Sequence, residues 1–166
     1  MKLVILGAGG YGRTVADAAE QSGKYEEVLF LDDMSKLAVG KCADYVNYKD
    51  CEIYPAFGNN KMRLEWIERL ENEGFSIPTI IHETAYISPK AEIKSGTVVL
   101  PKAVVNTEVV VEKGCIINCG VIIDHGCVIE AGVHLCPGAI VKAENRIKSK
   151  TKIESGEIIQ ARKLPV

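Results

Sequence analysis

Among the 166 residues stand three histidines, and one of them, His125, sits where chemistry is within reach. It lies between Asp124 and Gly126 in the string Ile123-Asp124-His125-Gly126-Cys127. A neutral imidazole titrates close to physiological pH and is the commonest general base. A base of this kind accelerates a reaction by on the order of 10²–10⁴-fold when it is aimed at the proton it removes. Its second nitrogen wants an acid to fix tautomer and orientation, and Asp124 is the carboxylate at hand. Neighbours on a strand point to opposite faces, so the pair needs a corner here. On spacing alone, a plain surface histidine competes with this reading.

A second constellation lies near the N-terminus, Gly7-Ala8-Gly9-Gly10-Tyr11-Gly12. It fits G-x-G-x-x-G between a predicted strand over 2–6 and a helical stretch over 13–22. In that context glycine lets a backbone approach a pyrophosphate at a helix N-terminus. Asp32 or Asp33, about twenty residues on, would bond a ribose hydroxyl. In a full dinucleotide fold the pattern means NAD. Here the unit is only about 80 residues, roughly half such a fold, before a different pattern begins. A nucleotide or nucleotide-sugar site is therefore preferred to a true NAD(P) site and to a purely structural tight turn.

Six cysteines, Cys42, Cys51, Cys115, Cys119, Cys127 and Cys136, contain no C-x-x-C pair, so no metal site or redox motif is expected. They read as free thiols used as small buried hydrophobes. A net charge of −2 points to no nucleic acid and no membrane surface. The apolar run MKLVILGAGG is too short for a membrane span and reads as a first strand, not a signal peptide. No membrane insertion and a cytoplasmic location are expected.

The elements that must position His125 are written in sixes. From Ile87 every sixth residue through Ile159 is Ile, Leu or Val. A second column two residues earlier runs from Ala85 through Cys115 and Cys127 to Ala139, small or apolar until Asn145, Thr151 and Glu157. Three residues after the aliphatic, glycine recurs at Gly96, Gly114, Gly120, Gly126, Gly132, Gly138 and Gly156. Alternate side chains on a strand share a face, so both columns point inward, and glycine suits the corner that follows. Three such units close one coil, and the chain predicts about four coils stacked roughly 4.8 Å apart. A period of six keeps no single face of a helix. The expectation is a parallel β-helix over residues 81–166.

Residues 1–80 read as a small α/β unit. Strands are predicted over 2–6, 27–31, 52–57 and 77–81, with helices over 13–22 and 60–73. The second helix has Met62, Leu64, Trp66, Ile67 and Leu70 apolar, and Gly74 as its C-cap. Alternating strands and helices imply a parallel sheet.

Gly7-Ala8-Gly9-Gly10-Tyr11-Gly12, Phe30-Leu31-Asp32-Asp33, Gly58-Asn59-Asn60, Ile81-His82, Ile117-Asn118 and Asp124-His125, in this order, resemble the motifs of a family of bacterial sugar acyltransferases. It is the family of sialic-acid O-acetyltransferases and bacillosamine-type N-acetyltransferases. The resemblance implies a Rossmann-like half-domain followed by a left-handed β-helix, three subunits packed side by side, and acetyl-CoA in the groove between neighbouring β-helices. It implies a nucleotide-linked sugar held by Gly7, Gly9, Gly10, Tyr11, Gly12, Asp32, Asp33, Gly58 and Asn59. Asn59 and Asn60 also read as a helix start. It implies that His125 is the general base, taking the proton from a sugar amine or hydroxyl as it attacks the thioester carbonyl. His134, outward because it precedes inward Leu135, would donate to the thioester carbonyl oxygen or pack at the surface or trimer interface. Gly138 and Ala143 would line the same cofactor site. Asn118 would position substrate or bond the corner backbone, and His82 reads as a structural hydrogen bond at the domain junction.

Two departures from the family pattern stand out. The acidic residue that commonly follows the base is replaced by Gly126. Relatives also continue for several coils beyond the second histidine, whereas about one and a half follow here. Lys142, Arg146, Lys148, Lys150, Lys152, Arg162 and Lys163 either meet CoA phosphates or form the charged rim that an exposed β-helix end requires, and the rim is preferred. The expected function is acetyl-CoA-dependent acetylation of an amino or hydroxyl group on a nucleotide-linked sugar, in surface polysaccharide or glycan synthesis, by a homotrimer. The alternatives are a non-catalytic nucleotide-sugar-binding or scaffold member and a small NAD(P)-binding oxidoreductase.

Overall fold

The structure, a computed structural model, describes residues 1–161. Arg162 and Lys163 lie outside the described residues. The first unit contains β1 (Lys2–Leu6), α1 (Gly10–Gln21), β2 (Glu27–Leu31), β3 (Glu52–Pro55) and α2 (Asn60–Asn72). Leu3, Val4, Ile5 and Leu6 are wholly buried, as a central parallel strand covered on both faces must be. β1 is that centre, with sheet order β2-β1-β3. Gly74 ends α2 with φ +81°, while Phe75 N–H bonds Leu70 O (2.9 Å) and Gly74 N–H bonds Glu71 O (3.1 Å), the paired bonds of a Schellman stop.

The strand predicted over 77–81 does not join this sheet. A single bridge links Glu52 to Ser76, and Pro78 has no N–H with which to extend a ladder. Ile80–Ile81 instead pairs with Val98–Val99 and is the first rung of the β-helix. From this rung, β4, two-residue strands follow every six residues through β17 (Ile158–Ile159). They stack into three parallel sheets, five, five and four strands deep. The first sheet is β16-β13-β10-β7-β4, the second β17-β14-β11-β8-β5 and the third β15-β12-β9-β6.

The inward columns fill the prism. Val99, Val105, Val111, Ile117, Ile123, Ile129, Leu135 and Val141 are wholly buried, as are Cys115 and Cys127. Burial pushes the Cys115 thiol up to about 12. All six cysteines are free; Cys42, Cys51 and Cys119 are only half-buried. Where the second column turns polar, its buried members are satisfied: Thr97 Oγ1 donates to Glu112 O (3.0 Å), and Asn145 Nδ2 donates to Lys142 O (2.8 Å) and Gln160 O (2.9 Å). The corner glycines have φ between +65° and +70°, as the sequence pattern anticipates.

α2 lies along the stack of corners between the third and first sheets. Its Ile67 packs on Gly96 and Gly114, and its Leu64 packs on Gly114 and Gly132; an added Cβ at these glycines would meet them at 2.6–2.8 Å. Asn60 Nδ2 reaches Lys150 O at 3.0 Å, and Glu71 pairs with Lys113 at 3.0 Å. A helix advances about 5 Å in three to four residues, close to the roughly 4.8 Å between stacked strands, so one helix face meets four successive corners. The sequence puts Met62 on the apolar face, but it is 45% exposed, and Arg63 is the wholly buried residue instead.

The remaining contact between the two units is mainly apolar, with one polar bond between His82 and Gln21. The outer face of the first sheet presents Ile80, Val98 and Ile116, which pack with Leu3, Ile5, Val15, Ala16, Ala19 and Tyr54, with Tyr11 and Cys119 at the margin. The next outward residue on that sheet, beside Ile116, is His134.

Candidate active site

The glycine loop leaves the end of β1 and turns into α1. Gly12 is required by close approach, because a Cβ there would sit 2.0 Å from Gly7 O. Gly9 and Gly10 differ: nothing lies within 4 Å of an added Cβ at either. Gly9 caps α1 without a side-chain bond, and no acidic residue stands in the first turn of the helix. The N-terminus of α1 therefore faces open space, an arrangement suited to an anion.

Asp32 is the peg that holds this loop. Its Oδ2 accepts from Ala8 N–H at 2.8 Å, and its Oδ1 accepts from Met34 and Ser35 N–H, each at 2.8 Å. These bonds, the one from Ala8 first, hold its carboxyl below the usual range. Asp33 is exposed, and its Oδ1 accepts from Cys42 N–H at 3.2 Å. Of the two carboxylates, Asp33 is the one free to face a ligand.

The loop after β3 lies beside the loop after β1, since an added Cβ at Gly7 would touch Ala56 O and Phe57. With strand order β2-β1-β3, the connection leaving β1 runs to β2 on one side while β3 lies on the other, so the crevice between the loops after β1 and β3 is the topological switch point at the carboxyl ends of the strands. Gly58 and Asn59 are exposed on it. Asn59 caps α2, accepting Met62 N–H at 2.9 Å. Tyr11 and Tyr54 share a hydroxyl–hydroxyl bond of 2.7 Å behind the loop, and burial raises both phenols.

His134 is held by residues from two coils. Asn118 Oδ1 accepts Cys119 N–H at 2.8 Å, which turns its Nδ2 toward His134 Nε2 at 3.3 Å. Asn118 so bonds the corner backbone and fixes a histidine together. Nε2 is the acceptor, and the ring proton resides on Nδ1. The Cys136 Sγ lies 3.8 Å from the same nitrogen. Burial, reinforced by Arg63 and Lys152, pushes the imidazole down to about 4, so the ring is neutral at pH 7. Any hydrogen bond it donates comes from Nδ1.

His125 stands at the corner between the second and third sheets, its side chain 48% exposed. Asp124 does not hydrogen-bond its ring: Oδ1 lies 3.9 Å from Nδ1. That oxygen accepts instead from the His125 backbone N–H at 2.7 Å and from Asn106 Nδ2 at 3.3 Å. Ala143 stands one coil above His125. Gly138 lies at the other edge of the second sheet, in the corner where its N–H bonds Cys119 O (2.9 Å). The whole width of the second sheet therefore separates His125 from His134, Asn118 and Gly138 within one chain.

His82 is buried at the junction, taking Thr84 N–H on Nδ1 (3.1 Å) and donating from Nε2 to Gln21 Oε1 (3.0 Å). Lys142, Arg146 and Lys152 are held by Gln160, Glu130 and Glu154, as members of a solvated rim. The feature that sequence reasoning overlooks is Arg63. Its Nε donates to Gly114 O (2.8 Å), its Nη1 to Phe57 O (2.8 Å), and its Nη2 to Gly132 O (3.0 Å) and Asn60 Oδ1 (2.8 Å). The signal was present, because Arg63 shares a helical face with Ile67 and Leu70 at spacings of four and seven.

Residues 2–70 match the model of the PglD N-terminal domain family. The acetyltransferase domain of PglB from Neisseria gonorrhoeae FA1090 superposes with a TM-score of 0.92 at 36% identity, over 95% of this chain and 81% of that one. The same domain in complex with acetyl coenzyme A gives 0.91 at 36% identity, over 95% and 80%. A variant of perosamine N-acetyltransferase from Caulobacter crescentus, in complex with CoA and GDP-perosamine, gives 0.85 at 20% identity, over 96% and 89%, a likeness of fold. The architecture is that of a left-handed β-helix acetyltransferase behind a small Rossmann-like unit, and the chain belongs to the bacterial sugar acetyltransferase family.

Proposed function

We propose that the protein is a homotrimer that transfers an acetyl group from acetyl-CoA to an amino or hydroxyl group of a nucleotide-linked sugar, with His125 as general base. The observation that carries this reading is the separation of the two histidines by one apolar sheet face. The outer ladder of the second sheet is Tyr86, Val104, Ile122, Ile140 and Ile158, in register. Tyr86, Ile122 and Ile158 are 55%, 41% and 47% exposed. An apolar ladder of this kind is costly in water, and a second copy of the chain is the partner that fits it. Packing copies over it joins the His125 corner of one subunit to the His134 side of another, so that the groove between subunits gathers the groups that one chain keeps apart.

In that groove His125 takes the proton from the sugar nucleophile as the new C–N or C–O bond forms and the thioester C–S bond breaks, and the proton passes to the departing CoA sulfur. His134, neutral and with its proton on Nδ1, donates to the carbonyl oxygen as it gains charge. Asn118 holds His134 in that tautomer. Ala143 and Gly138 leave room for the pantetheine arm. Acetyl-CoA as donor is supported by its presence in the gonococcal PglB domain at 36% identity. For the acceptor, the open Gly9–Gly10 face, the uncapped N-terminus of α1 and exposed Asp33 at the switch-point crevice favour a nucleotide diphosphate with its ribose. The Caulobacter enzyme binds a ligand of this class. Acetylated nucleotide-sugars are precursors for glycan or polysaccharide assembly, the setting this reading implies, and residues 1–80 and 81–166 divide the work between sugar and acyl donor.

Calorimetric titration with acetyl-CoA, alongside light scattering, tests the proposal. Saturable binding to a trimer at micromolar to sub-millimolar Kd, weakened in His134→Ala, is expected, with turnover on a nucleotide-sugar that His125→Ala abolishes. A folded protein that binds a nucleotide-sugar but no acetyl-CoA up to millimolar concentration would instead be a non-catalytic binding member. A monomer would remove the groove and the mechanism with it.

A further inference from the structure

We propose that Glu144 supplies the carboxylate that orients His125, acting from the next coil in place of the side chain missing at Gly126. The inference rests on His125 being the general base.

Three observations converge on Glu144. First, the acid beside the base in sequence is already engaged elsewhere. Asp124 Oδ1 takes the His125 backbone N–H at 2.7 Å and stands 3.9 Å from Nδ1, beyond hydrogen-bonding reach. Second, the strand register stacks Glu108, Gly126 and Glu144 at one place in successive coils. All three have left-handed backbone, with φ of +59°, +65° and +59°. Glycine and asparagine take that conformation readily and glutamate does not, yet carboxylates occupy the place directly above and directly below the coil that carries His125. Third, Glu144 is bound to the base's own backbone and leans over the gap beside it. Its N–H donates to His125 O at 3.0 Å, and its Cγ lies 3.5 Å from where a Cβ on Gly126 would stand. The Glu144 side chain therefore lies in contact with the place that a side chain at 126 would take. Among the described residues its carboxylate makes no hydrogen bond or ion pair and its side chain is exposed, so the proposed contact requires only that the side chain rotate toward the imidazole.

The charged groups around this corner are Asp124, Glu108, Lys142 and Glu144, with Lys142 Nζ held by Gln160 Oε1 at 2.6 Å. A carboxylate bonded to the ring stabilises the imidazolium that forms as the base takes its proton. Glu144 is a positioning residue: it acts on the substrate only through His125.

The test combines turnover with NMR titration of the His125 ring in the intact protein. Glu144→Gln is expected to lower kcat on the order of 10–100-fold with KM for acetyl-CoA unchanged, and to move the His125 titration to lower pH. Glu144→Asp should recover part of the rate. The double variant Glu144→Ala, Gly126→Glu should recover both rate and titration by returning the carboxylate to the neighbouring place, in a backbone conformation that Glu108 already tolerates. Wild-type kcat and an unmoved His125 titration in Glu144→Gln, beside an inactive His125→Ala, would overturn this proposal alone. Full turnover in His125→Ala would overturn the general-base reading, and the positioning role with it.

Discussion

Arg63 offers the sharpest test of how the two units are held together. Replacing it with methionine keeps the aliphatic packing and removes the guanidinium. Four oxygens then lose a donor: Phe57 O, Gly114 O, Gly132 O and Asn60 Oδ1. A buried acceptor left unmade costs about 1–3 kcal/mol. Against this, the folded state no longer bears the desolvation of a buried charge. Two of the four bonds, to Gly114 O and Gly132 O, are fully buried, and with the partly buried pair they put the net loss at about 3–5 kcal/mol. For a chain of this size each kcal/mol moves the melting temperature by about 2–4 °C, so Arg63→Met should melt roughly 6–20 °C lower. Calorimetry, with urea unfolding monitored by circular dichroism, reads the change. Arg63→Lys keeps the charge but gathers its donors at one point, so it cannot span two corners of the stack and should recover less than half. A Tm for Arg63→Met within about 2 °C of wild type, less than about 1 kcal/mol, would refute the argument that these bonds clamp α2 to the β-helix.

Other outcomes follow from the same structure. His134 has a folded-state pKa of about 4 against an ordinary 6.5; the unfolded chain binds the extra proton first, so stability is full above pH 6.5 and falls as pH drops toward 4. Urea midpoints measured across that window should flatten in His134→Gln, and an unchanged slope would contradict the assignment. Gly12→Ala forces a Cβ to 2.0 Å from Gly7 O and should destabilise by about 3 kcal/mol or more. Gly9→Ala meets nothing within 4 Å and should melt like wild type while raising KM for the nucleotide-sugar; equal melting of the two variants would sink the distinction. Ile122→Glu places a carboxylate in the middle of the apolar ladder and should shift light scattering from trimer toward monomer. A trimer unaffected at micromolar concentration would move the interface elsewhere.

The β-helix was legible because a sixfold aliphatic repeat leaves few alternatives. The same count extends back to Ile81, so β4 was readable too, but the Pro78 segment looks locally like a strand of the preceding sheet. Only pairing across residues 80 and 98 decides which sheet it joins. Asp124 is next to His125 in sequence and still does not bond its ring, because the corner turns its oxygen onto the backbone. The partners that matter come from other coils, Asn118 for His134 and Glu144 for the corner of His125. Such contacts appear only once coils are stacked in register. Arg63 was passed over because a charged residue is ordinarily read as facing solvent, although its helical spacing with Ile67 and Leu70 places it inward.

Coil stacks ordinarily gain stability one layer at a time, each layer touching only its neighbours, and so tend to fray from an end. α2 changes that arithmetic. Through Ile67, Leu64, Arg63 and Asn60 it grips the corners at Gly96, Gly114, Gly132 and Lys150, and it behaves as a splint laid across a pile of plates. No gripped layer can open without lifting the splint from the others, so layers that do not touch become coupled in a single unfolding event. Hydrogen exchange should then show Val99, Ile117 and Leu135 amides opening together with α2, while the Ile159 amide, beyond the last grip, exchanges independently and faster. The small N-terminal unit thereby holds the acyl-transfer scaffold rigid as well as carrying its own crevice.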